Sequence, residues 1–249
     1  MINKIFLILF TLLLSLYTLN ANSVQIKIIT ISGSIDETLY QRFLKLNLSN
    51  DFSAIPAGLI VFLDSPGGDV DIAMKMGKIL RNFNAQIFVT KKCASACVLI
   101  FASGVVRDAP ELSLGIHRFS INSYDVKSKK NIPVYLSKAS SDYSLIIYKR
   151  INSYLKEMNI DTSLLKKMEE TDPNNISWLS RLDAKRYNLI GYDDNYIYSK
   201  VESLQLFENI SSSSYKIIIN QISNNCVLNS KFIQNQFINC YKKLLINKN

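Results

Sequence analysis

The sequence predicts an α/β domain: a largely parallel sheet with covering helices. Two observations carry that reading. Short apolar runs rich in β-branched residues alternate with segments whose apolar residues recur at helical intervals. Turn residues (Gly33-Ser34, Pro66-Gly67-Gly68) separate the runs, as strand–helix–strand units require. No internal repeat is present.

Taken in order, residues 24–31 alternate and read as a strand. Asp36 can cap a helix running to about Leu46. Residues 58–63 form a short apolar run bounded by turn signals, the pattern of a buried strand. Residues 69–83 have helical spacing, with Ile72, Met76, Ile79, Leu80 and Phe83 on one face. Residues 85–90 read as a strand, residues 96–102 as a helix apolar on all sides, and residues 112–116 as a strand leading into His117. The polar, lysine-rich stretch 123–131 reads as a surface loop, and 133–158 as a long helix. Residues 162–170 form a second, shorter helix, and Ser177-Trp178-Leu179-Ser180 leads into another over 183–187.

Lys4 followed by an almost wholly apolar run to Leu19, with Ala21 at a cleavage point, reads as an export signal over residues 1–21. The run is short for a membrane span, which needs about 20 residues. An uncleaved N-terminal anchor is the rival reading and the one route to a membrane. Residues 22–200 then form one domain, and 201–249, rich in Ser, Asn and Ile, a C-terminal extension. Export places the protein in the periplasm or another oxidising space, where four cysteines can pair. Three pairings exist. Local pairing, Cys93 with Cys97 and Cys226 with Cys240, is the first choice; buried free thiols are the alternative. If residues 93–97 are helical, both thiols share one face. The net charge of +9 does not indicate nucleic acid: basic residues are scattered and no base-reading motif occurs.

The chemistry-bearing residues are ordered. Asp64-Ser65-Pro66-Gly67-Gly68 comes first, then Cys93-Ala94-Ser95-Ala96-Cys97, then Gly115-Ile116-His117-Arg118. His117 is the single histidine of the chain. Acyl transfer by serine needs a base for the hydroxyl, an orienting partner for the base, and donors for the oxyanion. Ser95 supplies the hydroxyl and His117 the base. Gly68, at a Gly-Gly step after a strand, and Ala96, at a helix start, can offer backbone N–H donors.

This set resembles the Clp protease proteolytic subunit family and its exported relatives. The intervals from Pro66 to Ser95 and from Ser95 to His117 are close to that family's, and the resemblance spans roughly residues 26–194. It implies the ClpP/crotonase fold, a spiral of ββα units. It further implies Ser95 as nucleophile, His117 as general base, and the N–H groups of Gly68 and Ala96 as the oxyanion hole. Such a hydrolase takes a peptide or protein substrate and needs no metal or organic cofactor. Self-association into a homo-oligomer is implied too, through the helix of residues 133–158.

The third member is open. The resemblance places it before Trp178-Leu179-Ser180, where Asp172 is the nearest upstream carboxylate. Asn174, Asn175 and Asp161 are rivals. An ATP-driven unfoldase partner does not carry over to an exported chain, and the cysteines flanking Ser95 depart from the cytosolic pattern. Lys91 or Lys92 as a base in a serine–lysine dyad is a minor reading, and Arg118 is open to a substrate carboxylate or a surface pairing. Two other readings remain: a non-catalytic peptide- or protein-binding member of the same fold, and a non-peptide acyl hydrolase.

Overall fold

A computed structural model describes residues 27–46, 48, 59–125, 130–135, 142–193 and 195–196, with isolated positions between 213 and 243. The expected export signal, residues 1–21, lies outside the described residues, as does most of the extension 201–249. No helix among the described residues is long and apolar enough to cross a membrane.

The chain is α/β, with a mixed, mostly parallel seven-stranded sheet. Strand β1 (Lys27–Ser32) pairs in parallel with β2 (Leu59–Ser65), and β2 with β3 (Gln86–Ala94). Leu59 to Leu63 are all buried. This explains their unbroken apolar run, since a strand covered on both faces has no polar side. β3 is long and serves two neighbours. Its first half pairs in parallel with β4 (Val106–Asp108). Its register to β2 shifts between Leu63 and Ser65, and Cys93 and Ala94 then pair in parallel with Leu114 and Gly115 of β5 (Leu114–Ile116). Antiparallel β8 (Ser177–Leu179) borders β5, and β9 (Gly191–Tyr192) borders β4.

Helix α1 (Glu37–Leu44) starts where the Asp36 carboxylate accepts from Leu39 N. Helix α2 (Val70–Asn82) starts where Asp69 accepts from Ile72 N at 2.9 Å. Helix α3 (Cys97–Ala102) is buried at all six residues, the central helix that its composition predicts. Helices α4 (Asp142–Glu157), α5 (Ser163–Glu170) and α6 (Arg181–Arg186) follow. Tyr154 of α4 donates its hydroxyl to Leu99 O of α3 at 2.8 Å, tying the two helices.

Three expectations are corrected. The loop of residues 123–131 is instead part of an antiparallel hairpin, β6 (Ser120–Asp125) with β7 (Lys130–Tyr135). The helix expected from 133 begins only at Asp142. β-branched and aromatic residues at 132, 134 and 135 favour the strand, and Pro133 is tolerated in a two-stranded ribbon. Residues 93–97 are not helical: Cys93 ends in β3, and α3 begins only at Cys97.

Arg107 of β4 is fully buried, and among the described residues its guanidinium bonds to backbone carbonyls. Its guanidinium donates to Leu189 O (3.2 Å), Ala102 O (3.1 Å), Gly104 O (2.6 Å), Met158 O (3.5 Å) and Asn188 O (2.9 Å). These join the ends of α3, α4 and α6. Burial lowers its pKa to about 10, with the Arg81 charge adding to the fall and Asp193 opposing it. Arg107→Met leaves these carbonyls without their donor in a dry interior. Unfolding free energy is expected to fall by about 3–5 kcal/mol, read as a lower denaturant midpoint.

Candidate active site

The carboxyl ends of β2, β3 and β5, three neighbouring strands running in parallel, converge on one place, where open α/β sheets put ligands. β3 ends at Ala94, and the next residue, Ser95, turns the chain into α3. Ser95 has φ 56°, a left-handed conformation. Of the five non-glycine residues there among the described residues, Asn84, Asn159 and Asn188 are asparagines next to helix ends, an ordinary place for that conformation. Serine between a strand and a helix has no such routine reason and costs about 1–3 kcal/mol. Such a turn presents the side chain at the strand end. Ser95 is partly exposed between buried Ala94 and Ala96.

Two structures hold the turn. Ser95 N donates to Gly115 O at 2.9 Å, and Cys93 N to Ser113 O at 2.8 Å, fixing its entry to β5. A disulfide joins Cys93 to Cys97 with the Cα atoms 5.3 Å apart, so the turn Ala94-Ser95-Ala96 is closed within a covalent ring. The second disulfide, Cys226–Cys240, has its Cα atoms 5.4 Å apart and lies in the C-terminal extension. Local pairing is therefore the connectivity.

The glycine loop lies against this turn. Gly67 has φ 102°, and a Cβ there would stand 2.7 Å from Ser95 Cβ and 3.0 Å from Ala96 N. Ser65, buried at the end of β2, holds the loop in place. Its hydroxyl donates to Gly33 O at 2.6 Å and accepts from Gly67 N at 3.1 Å. Ile35 N donates to Gly67 O at 2.9 Å, and Asp69 N to Ile35 O at 2.8 Å. Among the described hydrogen bonds, none uses the N–H of Gly68 or of Ala96. Gly68 is exposed and Ala96 is buried. Ser65 and Ile35 are site-shaping residues that the sequence reading passed over. Ser65 stood within the Asp64–Gly68 motif, but its role depends on the parallel pairing of β1 with β2, which only the fold supplies.

His117 follows β5, two residues beyond Gly115, and is partly exposed. Its Nδ1 lies 2.8 Å from the carbonyl oxygen of Arg118. Among the described residues, no hydrogen bond joins the side chains of Ser95 and His117. Catalytic contacts often tighten only when substrate is bound.

The structure assigns Asp172 to another task. The residue is exposed, and its Oδ1 accepts from Asn174 N at 2.7 Å. An aspartate two residues before a free N–H folds back on its own backbone, and this competes with reaching the histidine. No hydrogen bond from Asp172 to His117 is present among the described residues. Asn174 and Asn175 are exposed on the same turn. Asp161 accepts from Ser163 N at 2.8 Å at the start of α5, and that bond holds its carboxyl below the usual range. The lysines are engaged too: Lys91 pairs with Asp64 at 2.9 Å, and Lys92 donates to Leu112 O at 2.6 Å.

No family model matches the chain, and no curated protein matches it significantly.

Proposed function

We propose that this chain is an exported serine peptidase, a hydrolase of the ClpP/crotonase-like fold that cleaves peptides or proteins through an acyl-enzyme on Ser95. One observation carries the reading. A strained serine at a strand–helix turn lies beside two uncommitted backbone donors, and the chain's single histidine follows the adjacent strand. Two disulfides support an oxidising, exported compartment. The mostly parallel sheet with its covering helices is compatible with a spiral of ββα units. Self-association through α4 belongs to the same proposal.

In the proposed reaction, Ser95 Oγ attacks the carbonyl carbon as His117 Nε2 takes its proton. The oxyanion lies between Gly68 N–H and Ala96 N–H, near the start of α3. His117 returns the proton to the leaving amine, and the acyl group stays on Ser95 Oγ. Water, deprotonated by the same imidazole, then releases the acid and restores the serine. A positioned general base contributes about 10²–10⁴-fold, and one oxyanion donor about 10²–10³-fold. No step requires a metal or an organic cofactor.

A second reading, a non-catalytic peptide- or protein-binding member of the fold, draws on the absence of a carboxylate bond to His117 among the described residues. Labelling of the oxidised protein with a fluorophosphonate separates the two. Wild type should label, Ser95→Ala should not, and His117→Ala should label at least about 100-fold more slowly. A folded, oxidised wild type that does not react would remove the enzyme reading in favour of binding.

A further inference from the structure

We infer that His117 is oriented by the main-chain carbonyl of Arg118 and not by a carboxylate, so that Arg118 is the positioning residue of a serine–histidine dyad. This rests on the peptidase reading above for its consequence, though not for its geometry.

A carbonyl oxygen only accepts. With His117 Nδ1 2.8 Å from Arg118 O, the proton of the neutral ring belongs on Nδ1, since two lone pairs at that distance repel. Nε2 is then left with its lone pair, the tautomer that a general base for serine requires. An orienting acid serves the same first purpose, to fix tautomer and ring plane.

The carbonyl is itself held in place. Arg118 N donates to Thr171 O at 3.2 Å, and Arg118 Nε donates to Glu169 O at 2.6 Å. Both acceptors lie at the carboxyl end of α5, where helix carbonyls lack partners within the helix and the dipole favours a cation. Arg118 therefore clamps the residue after the base onto a helix end through one backbone and one side-chain bond. Its Nε is thereby committed to the fold. The carboxylates of Asp172 and Asp161 are bonded to their own backbone turns.

The dyad differs from a triad in one respect. A carbonyl stabilises the imidazolium formed during attack less than a carboxylate does, so rate depends more heavily on fixed geometry. Arg118, not Asp172, then becomes the sensitive position.

The test uses the full oxidised chain with ¹⁵N-labelled histidine. His117 is the single histidine, so each ring nitrogen gives one unambiguous signal. Wild type should carry its proton on Nδ1. Asp172→Asn and Asp172→Ala should keep that signal. They should react with a fluorophosphonate within about threefold of wild type, where converting a triad acid to its amide costs about 10⁴-fold. Arg118→Ala should weaken the Nδ1–H signal and slow labelling by about 10- to 100-fold, the effect of a displaced catalytic group. Arg118→Lys, which keeps a donor, should recover part of the rate. A wild-type proton on Nε2 would overturn the inference. So would a loss beyond about 100-fold in Asp172→Asn with the proton moved to Nε2. The nitrogen signals need no turnover, so a wild type that fails to label would remove the peptidase reading and still leave the orientation decided. The Asp172 variants change an exposed residue, so the test stands even if Arg118→Ala does not fold.

Discussion

Gly68→Ala is expected to abolish fluorophosphonate labelling and to lower unfolding free energy by about 3 kcal/mol. A Cβ at this position would lie 2.2 Å from Ile35 O and 2.8 Å from Ile35 N. Both obstacles are backbone atoms, so no rotamer change relieves the clash. The backbone at Gly68 has φ 148°, a region closed to side chains. Something must move, and each candidate is tied down. Ile35 N donates to Gly67 O, and Ile35 O accepts from Asp69 N, at the cap of α2. The loop would therefore swing toward Ser95 or away from it, and Gly68 N–H would leave its place. Losing that donor alone costs about 10²–10³-fold in rate. Urea denaturation beside the labelling rate checks both parts. A variant with wild-type stability and wild-type labelling would show that neither the close approach nor the donor matters.

What the sequence made legible, and what it did not, follows from the range of the forces involved. Asp36 marked a helix start because capping is a contact within three residues. The apolar runs of β2, β3 and α3 stood out because a buried element shows its burial in composition. The hairpin of β6 and β7 was hidden under lysines and a proline, since an antiparallel ribbon needs no continuous apolar face. Strands of two or three residues, such as β4 and β9, are too short for any period to register. Ser95 was legible as a serine between alanines, but its left-handed backbone was not, because the strain is imposed by β5, the glycine loop and the disulfide together. The orienter of His117 was the least legible part. A search for acids finds Asp172, whereas a backbone carbonyl belongs to every residue and leaves no mark in a sequence.

The disulfide supplies the second large effect, and here site and fold should part. Removing Cys93–Cys97 by the double substitution Cys93→Ala and Cys97→Ala is expected to slow labelling by about 10- to 100-fold, through release of about 1–3 kcal/mol of turn strain. The bridge spans a sequence separation of only 4, so the chain entropy it removes from the unfolded state is small, about 2 kcal/mol. Most of the sheet lies outside the ring and is unaffected by its opening. The turn within the ring is different. Ser95 keeps a left-handed backbone because its two flanks are fixed at once, Cys93 in β3 and Cys97 at the start of α3. With the bridge gone, the bonds from Cys93 N to Ser113 O and from Ser95 N to Gly115 O hold only the strand side. The helix side can then relax, and every 1.4 kcal/mol of strain released lowers the population of the competent turn about tenfold. Both sulfurs belong to fully buried residues, so substitution is a cleaner test than a thiol reagent. A folded variant that labels at the wild-type rate would sink the argument, because it would show the bridge acting on the chain as a whole and not on the turn. Slowed labelling with the far-ultraviolet circular dichroism retained would place the function of this disulfide at Ser95.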